Sequence, residues 1–151
     1  MQPLDEAIRS LVAQWTAKAE QDFEAAVHLL EDGGRFQDIV GFLSRQSAEK
    51  YLKAFLILRG IVFPKTHDIH KLLQLVATAD AEMAAALADP DLLTPFGVEV
   101  RYPGDRPEML PGGASASIEI ARRVGDAVMA SVGPDLQASP TVAAPPSILR
   151  H

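Results

Sequence analysis

The sequence predicts an all-α protein: an antiparallel up-and-down bundle of four to five helices that carries one long Pro/Gly-rich loop. Three observations predict it. Apolar residues recur at steps of three and four over several stretches, the signature of helices with one buried face. The strict apolar–polar alternation of a half-buried strand is nearly absent. Five prolines and four glycines gather in residues 89–113, where they punctuate the helical signals with a loop. At 151 residues, 48% hydrophobic and 23% charged, the chain has the size and balance of one globular domain. That domain is expected over residues 1–132, with a flexible Pro-rich tail over 133–151.

The first helix is read from Leu4 to Leu30, through Ile8, Leu11, Val12, Trp15, Ala19, Phe23 and Ala26. It is rich in Ala, has no internal Gly or Pro, and meets Gly33-Gly34, a common way for helices to end. The second runs from about Phe36 to Leu58, with Phe36, Val40, Leu43, Ser47, Tyr51, Ala54 and Leu58 along its main stripe and Gly60 as its stop. Ile61-Val62-Phe63-Pro64 reads as an extended connection, because the proline holds Phe63 off the helical region. Thr66 or Asp68 is placed to cap a third helix through Ile69, Leu72, Leu73 and Val76. Asp80 restarts a short helical piece through Met83 and Leu87. The last long helix is expected from about Ser115 to Val132, with Ile118, Ala121, Val124 (or Gly125) and Val128 on one face. No internal repeat is visible.

Composition removes several chemistries. With no cysteine, disulfides, thiolate-held zinc, iron–sulfur clusters and thiol catalysis are excluded. No apolar run approaches the roughly 20 residues a membrane-spanning helix needs. The first fifteen residues carry acids without a continuous apolar core, unlike a secretion signal. The cytoplasm is the expected compartment, with no membrane contact. No GxxxxGK[ST] or GxGxxG phosphate loop occurs. His67 and His70, three apart, are a weak metal signal on their own, so no metal and no cofactor are expected. A formal net charge of −6 argues against indiscriminate coating of nucleic acid. The basic residues are nevertheless concentrated: Arg35, Arg45, Lys50, Lys53, Arg59, Lys65 and Lys71 stand against Asp38, Glu49 and Asp68 within residues 35–71, half of the chain's 14 Lys and Arg in one quarter of its length.

Polar residues stand where a plain bundle would not put them. Asp22 lies seven residues after Trp15 and projects within about 20° of it, inside the apolar stripe. It is expected either to pair with a cation or to reach solvent at a groove edge. Lys50, Lys53 and Arg101 are the candidate partners, and Arg101 is favoured because its planar fork meets a carboxylate through two bonds. On the second helix Gln46, Glu49, Lys50 and Lys53 form a contiguous polar stripe flanked by Ile39, Phe42, Leu56 and Ile57. Such a stripe is a solvated face in the simplest case. A helix apolar on more than one side also points to a subunit interface, and Glu49 and Lys53 are spaced for an i,i+4 ion pair.

The order of the motifs carries a resemblance. Gln46-Ser47-Ala48-Glu49-Lys50-Tyr51-Leu52-Lys53-Ala54 is followed by Phe63-Pro64-Lys65-Thr66-His67-Asp68-Ile69, then Leu72-Leu73, then Arg101-Tyr102-Pro103. Together with Trp15, Ala19 and Asp22, this pattern resembles the HEPN family of small helical nucleotide- and RNA-associated domains over about residues 10–130. The resemblance implies an antiparallel bundle that forms a homodimer, working beside a minimal nucleotidyltransferase, often as a toxin–antitoxin pair. Many HEPN proteins are metal-independent ribonucleases with Arg, four to six residues, then His. This sequence departs from that motif: Arg59 and His67 have seven residues between them, and His70 has Lys65 where the arginine belongs.

Three functions therefore compete. In the first, a basic groove of Lys50, Lys53, His67 and Arg101 binds a nucleotide or RNA phosphate, supported by Asp22, Gln46, Glu49, Thr66 and Tyr102. In the second, the same surface docks the nucleotidyltransferase and its polar residues are structural. The third is a ribonuclease with a displaced Arg/His site, which needs a histidine for proton transfer and a fixed cation for the developing charge.

Overall fold

The computed structural model describes residues 5–32, 34–88 and 113–137. Five helices occupy them: α1 Glu6–Leu30, α2 Gln37–Leu58, α3 Ile69–Ala77, α4 Ala81–Leu87 and α5 Gly113–Gln137. No strand is present among the described residues. The protein is an all-α bundle. The long loop expected over 89–113 lies outside the described residues up to Pro111-Gly112, as does the tail beyond Gln137.

The helix ends follow local chemistry. Asp5 caps α1 by accepting from Ala7 N, Asp68 caps α3 by accepting from His70 N and Lys71 N, and Asp80 caps α4 by accepting from Met83 N. Each side chain satisfies a first-turn donor that has no partner within the helix. Between the two residues proposed to start α3, Asp68 is the cap, and Thr66 Oγ1 accepts from Asp68 N at 3.0 Å. At the end of α2, Gly60 adopts φ 72. Gly60 N bonds Ile57 O and Ile61 N bonds Leu56 O, the paired bonds that close a helix through a left-handed residue.

α2 is the central element. Leu52, Phe55 and Leu56 are fully buried and join Leu72, Val76 and Val128 in the main core. α1 runs antiparallel to α2. Ala19 and Ser47 meet at their crossing, where Ser47 Oγ donates to the Ala19 carbonyl at 2.8 Å, and Ala26 packs with Val40. α5 runs in the same direction as α2. Val40 packs with Ala114 and Ile118 near their starts, Tyr51 lies against Gly125, and Arg59 bonds Ser131 near their ends.

α5 is longer than expected. Val124, Val128 and Val132 are buried and Leu136 packs against the same core, so the apolar step of four continues through Gly133-Pro134. A proline costs a helix one backbone bond, but here it lies close to the C-terminal end, where few bonds remain to be lost.

Candidate functional site

The polar stripe of α2 faces α1 and the connection that leads into α3. Glu49 and Lys53, one turn apart, are both buried, with Glu49 only 5% exposed. Lys53 Nζ donates to Glu49 Oε2 at 2.9 Å and lies 5.8 Å from the Trp15 ring and 5.9 Å from the Phe63 ring. The two aromatic faces shield the ammonium and attract it through their ring quadrupoles. The pair expected from i,i+4 spacing is therefore present, in a dry setting rather than on a solvated face.

His67 completes this group. Its Nδ1 stands 2.8 Å from Glu49 Oε2. A carboxylate that already receives the Lys53 ammonium has acceptor capacity only, so Nδ1 is the donor in this contact. Nε2 has no partner among the described residues, and the side chain is 75% exposed. Arg45, one turn before Glu49, donates from Nη2 to the His67 carbonyl at 3.3 Å. The turn before α3 is thus tied to α2 at a side chain and at the backbone.

Lys50 points toward α1, where Nζ donates to Asp22 Oδ2 at 2.6 Å. Asp22 finds the cationic partner its place on α1 demands, and that partner is Lys50. Arg101, the favoured candidate, lies outside the described residues together with Tyr102. Gln46 is half-buried on the same stripe and makes no side-chain hydrogen bond among the described residues. Thr66 serves the turn ahead of α3.

The structure joins these residues in two groups, Asp22 with Lys50 and Glu49 with Lys53 and His67, and places beside the second group three residues to which sequence reasoning gave no role there: Trp15, Phe63 and Arg45. Arg45 carried a readable signal, since it sits four residues before Glu49 on the same helical face. Phe63 carried none beyond its proline. The lysines also do not form a bare cationic stripe. Each is engaged by a carboxylate, which leaves Arg45 and His67 as the outward polar groups. Arg59 is engaged elsewhere, stacked 5.0 Å over Phe55 and bonded to Ser131 of α5 at 3.0 Å. Among the described residues, no three His, Asp or Glu side chains converge as metal ligands. No helix among them is long and apolar enough to cross a membrane.

The same outer stripe of α2 exposes two large apolar residues, Ile39 at 46% and Phe42 at 55%. At 100° per residue both lie within about 40° of Gln46, so the polar group and the apolar patch share one surface.

The model of the HEPN domain matches residues 12–131. No curated protein and no solved structure gives a match.

Proposed function

This chain belongs to the HEPN family, and on that premise we propose that its α1/α2 face binds the phosphate of a nucleotide or of RNA, as one half of a two-component, toxin–antitoxin-type pair with a nucleotidyltransferase. One observation carries the ligand reading: buried Glu49 holds exposed His67 through Nδ1 at 2.8 Å and leaves its second ring nitrogen unpartnered. A histidine oriented by a carboxylate offers a directed polar edge, and in its charged form it donates to an anion. Arg45 stands beside it with donors in a planar fork suited to phosphate. The Asp22–Lys50 and Glu49–Lys53 pairs support this edge, and each lysine already has a carboxylate as its counter-charge. Binding is therefore directional and only weakly salt-dependent, with counterion release equivalent to about one or two contacts.

The test is titration of fluorescently labelled nucleotide and of single-stranded RNA at 50 and 200 mM salt. His67→Ala and Arg45→Gln should each weaken binding about tenfold, as expected for loss of a charge-assisted bond. Unchanged affinity in both variants removes the phosphate reading.

Exposed Ile39 and Phe42 support a second reading, in which this face docks the nucleotidyltransferase without ligand chemistry. Large apolar side chains beside a polar group are the composition of a protein interface. Under that reading Phe42→Lys abolishes co-purification with the nucleotidyltransferase, while His67→Ala leaves it intact. A ribonuclease reading would use the exposed His67 edge with Arg45, since Arg59 is held at α5. RNA cleavage that survives His67→Ala would remove it.

A further inference from the structure

A concavity lies round the far side of α1. Glu20, which lines it, is about 160° from Asp22 on the helical wheel, so it is a surface separate from the α1/α2 face. It opens between α1 and α5, with Tyr51 of α2 among its lining residues and a volume of about 480 Å³. Small-molecule pockets have this size.

Tyr51 is the unexplained group. It is 8% exposed, and its hydroxyl makes no hydrogen bond among the described residues. The buried side-chain atoms without a partner among the described residues are Arg9 Nε, Ser44 Oγ and Ser117 Oγ, so the Tyr51 ring is buried while its Oη opens to the concavity and can be reached by a ligand. Gly125 lets the ring through to the α5 side: a Cβ there would stand 2.8 Å from Cε2 and 3.1 Å from Cζ of Tyr51. The phenol reaches a cluster of carboxylates. Burial, then the charges of Glu20, Asp126 and Glu24, raise its pKa above the ordinary value.

Those three carboxylates line the concavity and have no ion pair among the described residues. Arg122, the one cation in the lining, is engaged by stacking 5.1 Å over Phe23 and bonding Glu119 at 3.4 Å. The space is thus anionic, floored by an aromatic ring, and holds a hydroxyl oxygen free to accept. Glu20 and Glu24 are one helical turn apart, about 5 to 6 Å between their Cβ atoms. That is the spacing which three or four methylenes set between successive nitrogens of an aliphatic amine.

We propose that the α1/α5 concavity binds a linear aliphatic polyamine. Its ammonium groups meet Glu20, Glu24 and Asp126, one of them also donating to Tyr51 Oη, while its methylenes lie along the Tyr51 ring.

Calorimetric titration of the full chain with spermidine tests this. Glu20→Gln combined with Asp126→Asn should weaken binding at least tenfold, and Tyr51→Phe about threefold to tenfold with the fold intact by circular dichroism. Neutralising two acids outside the concavity, Glu31→Gln with Asp32→Asn, should change affinity less than twofold. Equal weakening by the outside pair means diffuse charge attraction and overturns the proposal. So does full affinity in Tyr51→Phe, and so does an arginine-rich peptide that binds the concavity when spermidine does not.

Discussion

His67 is three-quarters exposed and yet held at 2.8 Å by Glu49, a carboxylate whose side chain is 7% exposed. The same oxygen receives the Lys53 ammonium at 2.9 Å. Glu49 therefore links a buried cation, shielded by Trp15 and Phe63, to a surface imidazole. Its removal breaks two interactions at once, one of stability and one of orientation.

Glu49→Gln should destabilise the protein by on the order of 3 kcal/mol, because it leaves the Lys53 ammonium buried without its counter-charge. Lys53→Met should cost less, since Glu49 keeps His67 as a partner. Replacing both, Glu49→Leu with Lys53→Met, should recover most of the loss, as apolar pairs in place of buried ion pairs commonly do. Urea unfolding of the four proteins decides it. A double variant less stable than the sum of the singles would show that the pair is not the source of the cost.

Asp22→Asn tests the other pair. The Asp22 and Lys50 side chains are 17% and 25% exposed, so water screens the interaction and its worth lies above that of a surface pair and below that of a dry one. The cycle of Asp22→Asn and Lys50→Gln should show a coupling of about 1 kcal/mol, reduced in high salt. Additive effects would mean that the 2.6 Å contact contributes nothing in solution.

The helices were legible because periodicity and caps agree: the aspartates at 68 and 80, both read as helix starts, each accept from the first turn, whereas the Asp5 cap was read as part of the first helix. The end of α5 was not legible, because Gly133-Pro134 reads as a stop. What overrides it is tertiary. Leu136 extends the step of Val124, Val128 and Val132 onto the core, and packing outweighs a local breaker. At the site, Glu49 with Lys53 was readable from spacing alone. The Asp22 partner was legible as one of three cations, and Lys50 pairs with it, while Arg101, favoured for its guanidinium geometry, lies outside the described residues. The groove between α1 and α5 had no sequence signal at all. Glu20, Glu24, Tyr51 and Asp126 come from three helices, and only the shared direction of α2 and α5 assembles them.

Tyr51 makes stability fall in alkali. Its pKa is raised from 10.0 by burial and then by Glu20, Asp126 and Glu24, so the folded protein keeps the phenol proton after the unfolded chain has lost it. The contribution is complete below pH 10.0. It declines above that as tyrosinate stabilises the unfolded state, and it is gone once pH has passed the folded pKa. Urea midpoints at pH 9 and pH 11 should fall more for the wild type than for Tyr51→Phe. Equal losses in the two proteins would remove the effect.

Assembly is the last prediction. α2 buries Leu52, Phe55 and Leu56 in the core, yet it exposes Ile39 and Phe42 on its outer stripe. Two large apolar side chains one turn apart on a central helix cost solvation that a matching surface would relieve. The expected match is a second copy related by a twofold axis, the commonest closed symmetry. Light scattering at tens of micromolar should give twice the 16.3 kDa chain mass. Ile39→Glu with Phe42→Lys should give the single mass, and its unfolding should no longer depend on protein concentration. Neither residue belongs to the buried core, so dissociation and misfolding are separable: circular dichroism of the monomeric variant should keep the full helix content. A wild-type monomer at that concentration would leave the α2 patch without a second copy to cover it.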